Sequence, residues 1–239
     1  MRLFMRSIAF LLAACATQPS NYDTASSLPS TASIERPEDP EAAQMVDHFL
    51  SIMDARMKLA EDIGRLETRD QYVREVFIGM FRNPELDPDV RSAFQESGGV
   101  YVDLIDEINT QELRDVLGNI TWRELAEYEN NLFKRAFHIV QHSNDEQYRA
   151  DVLEEIQPLA EEGLIEGQQF ALMFDRVELQ KNQTQLYGTQ TKCIDGVLDT
   201  PGLLNPEDVD ERRAQMGMRP LSEYLETNRQ LYGPCSNKQ

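Results

Sequence analysis

From Glu41 onward, apolar residues recur every three or four positions: Met45, Phe49, Ile52, Met53, Met57, Ala60 and Ile63 form one stripe along a long helix. That methionine-rich stripe is expected to face the core, where flexible thioethers fill irregular gaps. A second, shorter helical segment covers Asp70 to Phe81 and carries Val73, Val76, Phe77 and Met80. Asn83-Pro84 and Asp87-Pro88 break the pattern, a further helix follows to about Ile108, and Gly118 ends a shorter turn of helix. Thr121 with Glu124 has the form of a capping box, and Ile120 with Leu125 supplies a hydrophobic staple. The helix opened there runs to about His142 and buries Leu125, Leu132, Phe133, Ala136, Phe137 and Val140. Asn144 with Gln147 starts the next helix, which stops at Gly163; another spans Gly167 to about Lys181.

The stretch from Thr184 to Thr200 reads differently. Asp195-Gly196 lies between Thr191-Lys192-Cys193-Ile194 and Val197-Leu198, the signal of a tight hairpin with a type I′ turn. Asn205 then caps a helix whose first residue is Pro206 and which ends before Gly217, and a last helix covers Leu221 to Tyr232. The expected fold is mainly α: a single multi-helix domain with one small β-hairpin near the C-terminal third.

Ahead of that domain the pattern changes twice. Arg2 and Arg6 precede a short apolar run, Ile8 to Ala14, which falls well below the roughly 20 residues of a spanning helix. A basic start with a short apolar core reads as an export signal. Leu12-Ala13-Ala14-Cys15 resembles the bacterial lipobox, which implies that residues 1–14 are removed and that Cys15 carries lipid. Acyl chains would then be the membrane anchor. Ala16 follows the cysteine, not an aspartate that would mark inner-membrane retention, so the expected location is the outer membrane facing the periplasm. Residues 15–40 are rich in Ser, Thr and Pro and poor in large apolar groups, a composition expected to give a disordered tether of about 25–30 Å root-mean-square span. The domain is expected over residues 41–235, with residues 236–239 a tail.

Charge narrows the partners. The chain has 23 basic and 42 acidic residues and a formal net charge of −19. No basic stripe offsets this, so nucleic acid is an unfavourable partner. With Cys15 lipidated, Cys193 and Cys235 remain. In an oxidising compartment an even pair most simply forms one bridge, which would stabilise by about 4 kcal/mol in the chain-entropy view. The alternative is two free thiols.

A series of strings resembles a known family. Gln141-His142, Ala171-Leu172-Met173-Phe174-Asp175-Arg176-Val177 and Gln185-Leu186-Tyr187-Gly188-Thr189-Gln190 are followed by Val209-Asp210-Glu211-Arg212-Arg213, Gly217 and Pro220-Leu221-Ser222-Glu223-Tyr224. The chain is similar in these strings to the uncharacterised bacterial family called domain of unknown function 6624. The resemblance is strongest over residues 130–225. It extends weakly upstream through Asp70-Gln71-Tyr72-Val73-Arg74, Asn109 and Trp122. Such a family has no assigned reaction, so the resemblance implies the domain extent and a candidate site but no activity.

The candidate site centres on the helix from Gly167. Phe170, Ala171, Leu172, Met173, Phe174, Val177 and Leu179 make it apolar nearly all round, yet Asp175 and Arg176 sit in its middle about 100° apart. Each buried charge then needs its own partner. His142 and the segment Gln185 to Gln190 are the polar groups expected to converge on them. One reading makes His142 a proton carrier oriented by Asp175, with Arg176 holding a carboxylate or phosphate and Gln141, Gln185, Tyr187, Gly188, Thr189 and Gln190 lining the site. The other is a satisfied buried network that docks helices and hairpin. His138 and His142 lie four apart, but Ile139-Val140-Gln141 lacks the glutamate of zinc proteases and Arg135 on the same face repels a cation, so neither metal nor cofactor is expected. The expected function is a lipid-anchored periplasmic binding or interaction module for a small anionic ligand or an envelope protein. The rival is a small-molecule or envelope-polymer hydrolase using His142 with Asp175.

Overall fold

The computed structural model describes residues 34–232 except Arg82, Pro84, Glu129, Asn130 and Asp195. Cys15, the lipobox and the expected signal segment lie outside the described residues, as does Cys235. Eight helices and one two-stranded sheet make up the described chain, a mainly α fold with one small hairpin. Among the described residues no helix is long and apolar enough to cross a membrane.

Packing divides the chain into residues 1–53 and 54–239. Within the first unit, the described residues are a short lead-in and the start of α1 (Pro40–Phe81), with Arg36 paired to Asp47. The apolar stripe here does not form core: Met45 is 70% and Phe49 58% exposed, and Ile52 and Met53 are exposed as well. Of the expected stripe only Ile63 is buried, with Met57 and Ala60 half-buried; Leu59 and Leu66, which the stripe did not include, are buried beside it.

In the second unit the core joins those three residues to Leu113 and Leu117 of α2 (Pro88–Leu117) and to Trp122 and Leu125 of α3 (Trp122–Glu127). It continues through Phe133, Phe137 and Val140 of α4 (Leu132–His142), Val152, Ile156 and Leu159 of α5 (Glu146–Glu161), and Met173 and Val177 of α6 (Gly167–Asn182). Strands β1 (Lys192–Ile194) and β2 (Val197–Asp199) pair antiparallel with Ile194 opposite Val197, so two residues close the hairpin as the Asp195-Gly196 signal implies. Cys193 lies mid-strand in β1, opposite Leu198. A 3-10 turn at Pro206–Asp208 leads into α7 (Val209–Gln215), and α8 (Leu221–Tyr232) ends the described chain.

Several boundaries differ from the periodicity, for identifiable reasons. The two helices expected before Asn83 are one, because the polar stretch around Arg65 and Arg69 is held by Glu112 of α2 and needs no apolar stripe there. Asp87 caps α2 through the amides of Asp89 and Val90, and that helix runs on to Leu117 without stopping near Ile108. The capping box at Thr121 is present, with Glu124 returning its carboxylate to the Thr121 amide. Its helix, however, ends at Glu127, and α4 restarts after Asn131, which takes a left-handed conformation with φ 57° that asparagine tolerates. The cap of α5 is Asp145, accepting from the Tyr148 amide, rather than Asn144.

Candidate functional site

Asp175 and Arg176 leave α6 in different directions, as their spacing requires, and each finds its own partners. Asp175 is fully buried. Its carboxylate accepts the backbone amides of Leu186 at 2.7 Å, Tyr187 at 3.1 Å and Thr189 at 2.9 Å. Three charge-assisted bonds to one carboxylate fix the 184–190 segment against α6. That segment is also tied to itself: Gln185 donates to the Gln190 and Pro201 carbonyls and accepts the Gln190 amide. Arg213 donates to the Tyr187 carbonyl, Arg212 to that of Leu186, and the Tyr224 hydroxyl to that of Thr189. Tyr187 is buried edge-on against Phe174. Gly188 has φ +66°, and a Cβ there would meet Leu221 at 3.0 Å.

The expected orientation of His142 by Asp175 is therefore not the arrangement found. Asp175 is used up on the loop amides, and His142 turns to α1 instead. Its Nδ1 lies 2.9 Å from Oδ1 and 3.0 Å from Oδ2 of Asp70. Asp70 also accepts from Arg74 at 2.9 Å, and Arg74 binds both oxygens of Asp106 on α2 at 2.8 and 2.7 Å. The Asp70 and Asp106 side chains are 1% and 5% exposed, whereas His142 keeps 25% and Arg74 20% of theirs open. A carboxylate only accepts, so the His142–Asp70 bond requires a proton on Nδ1, and in the neutral imidazole Nε2 then keeps a lone pair. Burial pushes the His142 imidazole below its ordinary value, with Asp70 pulling the other way. Burial likewise raises Asp106, against the pull of Arg74.

Arg176 reaches the same corner from α6. Its Nη1 donates to the Gln141 carbonyl at 2.8 Å, one residue before His142, and its Nε is buried without a partner. It forms no ion pair with a carboxylate among the described residues. Burial, reinforced by the neighbouring charge of Arg149, lowers its pKa to about 10. Arg149 donates to the Ser143 carbonyl and to Gln180 Oε1 at 2.7 Å. Two cations thus bond the carbonyls at the C-terminal end of α4, where a helix carries partial negative charge and lacks amide partners. That accounts for part of their placement but leaves most of the Arg176 N–H groups unused.

The structure thus separates the sequence-derived residues. His142, Arg176 and the Gln141 carbonyl meet in one corner. Asp175, Gln185, Tyr187, Gly188, Thr189 and Gln190 form an adjoining lock whose polar groups bond one another. Tyr224 bonds the Thr189 carbonyl of the lock. Asp70, Arg74, Asp106 and Arg149 were missed as site residues; the i, i+4 pair inside Asp70-Gln71-Tyr72-Val73-Arg74 was their only signal. His138 faces a different acid, Glu67, at 3.3 Å. Among the described residues no group of three or more His, Cys, Asp or Glu is placed to hold a metal ion. A groove of about 740 Å³ elsewhere, lined by Gln157, Glu161, Gly167, Phe170, Met216 and Gly217, shares no residue with this corner.

Fold and site define a helical domain with a His–Asp pair and an arginine that, among the described residues, has no counter-ion. The chain belongs to a family of unknown function, DUF6624, whose model matches residues 98–236. No curated protein and no solved structure matches it. Asp70 and Arg74 precede the matched region, yet they supply the carboxylate and the cation at His142.

Proposed function

We propose that the protein is an exported, lipid-anchored binding module that takes a small anionic ligand at the corner formed by His142 and Arg176. The observation that carries this reading is Arg176, a part-buried guanidinium whose pKa burial lowers to about 10, bonded to one carbonyl and, among the described residues, to no carboxylate. A buried cation without a counter-ion is costly, and an anion entering beside it relieves that cost. Anchoring rests on the lipobox-like Leu12-Ala13-Ala14-Cys15, and a Cys193–Cys235 bridge fits an oxidising compartment. The direct experiment is titration of the detergent-solubilised full chain with a panel of small anions, glycine and acetate among the carboxylates together with inorganic phosphate, comparing wild type with R176Q. Binding by the wild type that R176Q abolishes supports the reading; equal behaviour of the two proteins refutes it.

A second reading, hydrolysis of a small molecule or envelope polymer, is favoured by one contact. His142 bonded through Nδ1 to Asp70 presents a basic Nε2, the arrangement a general base requires. In this form the orienting carboxylate is Asp70, not Asp175.

A further inference from the structure

The charges around His142 divide into two lobes of opposite sign. On the α1–α2 side, Asp70 and Asp106 share the single cation Arg74, an excess of one negative charge behind the imidazole. On the α5–α6 side, Arg149 and Arg176 bond carbonyls and an amide and, among the described residues, neither forms an ion pair with a carboxylate, which leaves that lobe positive. Between them lies the His142 ring, a quarter exposed, whose Nε2 has no partner among the described residues. A simple carboxylate would satisfy Arg176 and leave that lone pair and the acidic lobe unused. A phosphate dianion would neutralise both arginines and be repelled by Asp70 and Asp106.

We propose that the ligand is a zwitterionic amino acid, its carboxylate held by Arg176 and its ammonium donating to His142 Nε2 in the field of Asp70 and Asp106. The inference deepens the anion-binding reading above and rests on it. An ammonium is the complement that uses every group in the corner. It supplies the donor that Nε2 lacks and balances the acidic lobe, while the attached carboxylate relieves the arginine. His142 fits this part because its burial favours the neutral ring, which accepts from an ammonium instead of repelling it.

Four probes separate the possibilities, each added at millimolar concentration to the detergent-solubilised full chain and followed by melting temperature. Glycine carries both charges, N-acetylglycine lacks the ammonium, ethylamine lacks the carboxylate, and acetate is the bare anion. The expected result is a rise of about 2–4 °C with glycine and little response to the other three. Asp106→Asn (D106N) leaves Arg74 bonded to Asp70 and should weaken glycine at least about tenfold, the loss of one charge-assisted contribution. A protein that binds acetate as well as glycine, with D106N unchanged towards both, overturns the amino-acid inference and leaves the anion site standing. No response to any carboxylate in the wild type overturns both.

Discussion

Asp70 and His142 lie 72 positions apart in the chain, yet the Asp70 carboxylate sits 2.9 Å from the His142 ring. The contact joins α1 to the last residue of α4 and is completed by Arg74, which ties Asp70 to Asp106 of α2. One buried carboxylate thereby serves three partners, an arginine, an imidazole and the Gln71 amide at 2.7 Å. Asp70→Asn (D70N) should cost about 1–3 kcal/mol of stability, measured by chemical denaturation, because the asparagine amide can satisfy only one of them well. It should also lower the His142 pKa further, since Asp70 is what raises it against burial. An unchanged His142 titration in D70N would contradict the pairing.

Asp175 belongs to structure rather than ligand contact. Asp175→Asn (D175N) removes a charge that accepts three backbone amides and should destabilise by about 2–4 kcal/mol. Where the variant folds, its response to ligand should match the wild type. Selective loss of binding at unchanged stability would put Asp175 back in the site.

Gly188 holds φ +66° with Leu221 where a Cβ would sit. Gly188→Ala (G188A) combines left-handed backbone strain of about 1–2 kcal/mol with that close contact, and a lowered melting temperature is the expected readout. A neutral result would mean that the 184–190 segment is not held as tightly as its hydrogen bonds imply.

The neutral imidazole makes stability depend on pH in a known direction. His142 in the folded chain has a pKa below the ordinary 6.5. Between that lowered value and 6.5 the unfolded chain binds a proton that the folded chain does not, so stability rises with pH across the window and falls on acidification through it. Asp106, raised by burial, works in the opposite sense above its ordinary 3.8. A comparison between about pH 7 and about pH 5 crosses the histidine window, and H142Q should lose less stability on that change than the wild type. Equal losses would remove His142 as the cause.

Helix content, the Thr121 cap and the hairpin were legible because each rests on local chemistry: periodicity, a reciprocal side-chain bond, a two-residue turn. So was the need of Asp175 and Arg176 for separate partners, which follows from their angular separation alone. The identity of those partners was not legible. Asp70 and Arg74 stand four apart on a long helix, the spacing of an ordinary solvated ion pair, and nothing local reveals that α2 and α4 cover them. The break between α3 and α4 carried a faint signal in Asn131, whose tolerance for positive φ lets a chain change direction. The exposed stripe at Met45 and Phe49 shows the converse: helical periodicity predicts an apolar face, but not that another element covers it.

That difference along α1 has a measurable consequence. Polar substitution at Met45 or Phe49 should leave stability within about 0.5 kcal/mol, while Ile63→Ala (I63A), in the fully buried stretch, should cost about 2–5 kcal/mol. A large loss at Met45 would show that the stripe is covered in solution.

Nitrogen-15 NMR of the His142 ring tests the central claim most directly, because the site depends on a neutral imidazole with its proton on Nδ1. At neutral pH the expected spectrum has a protonated Nδ1, bonded to Asp70, and an unprotonated Nε2 that shifts when glycine is added. An imidazolium at that pH, or a neutral ring carrying its proton on Nε2, would contradict it.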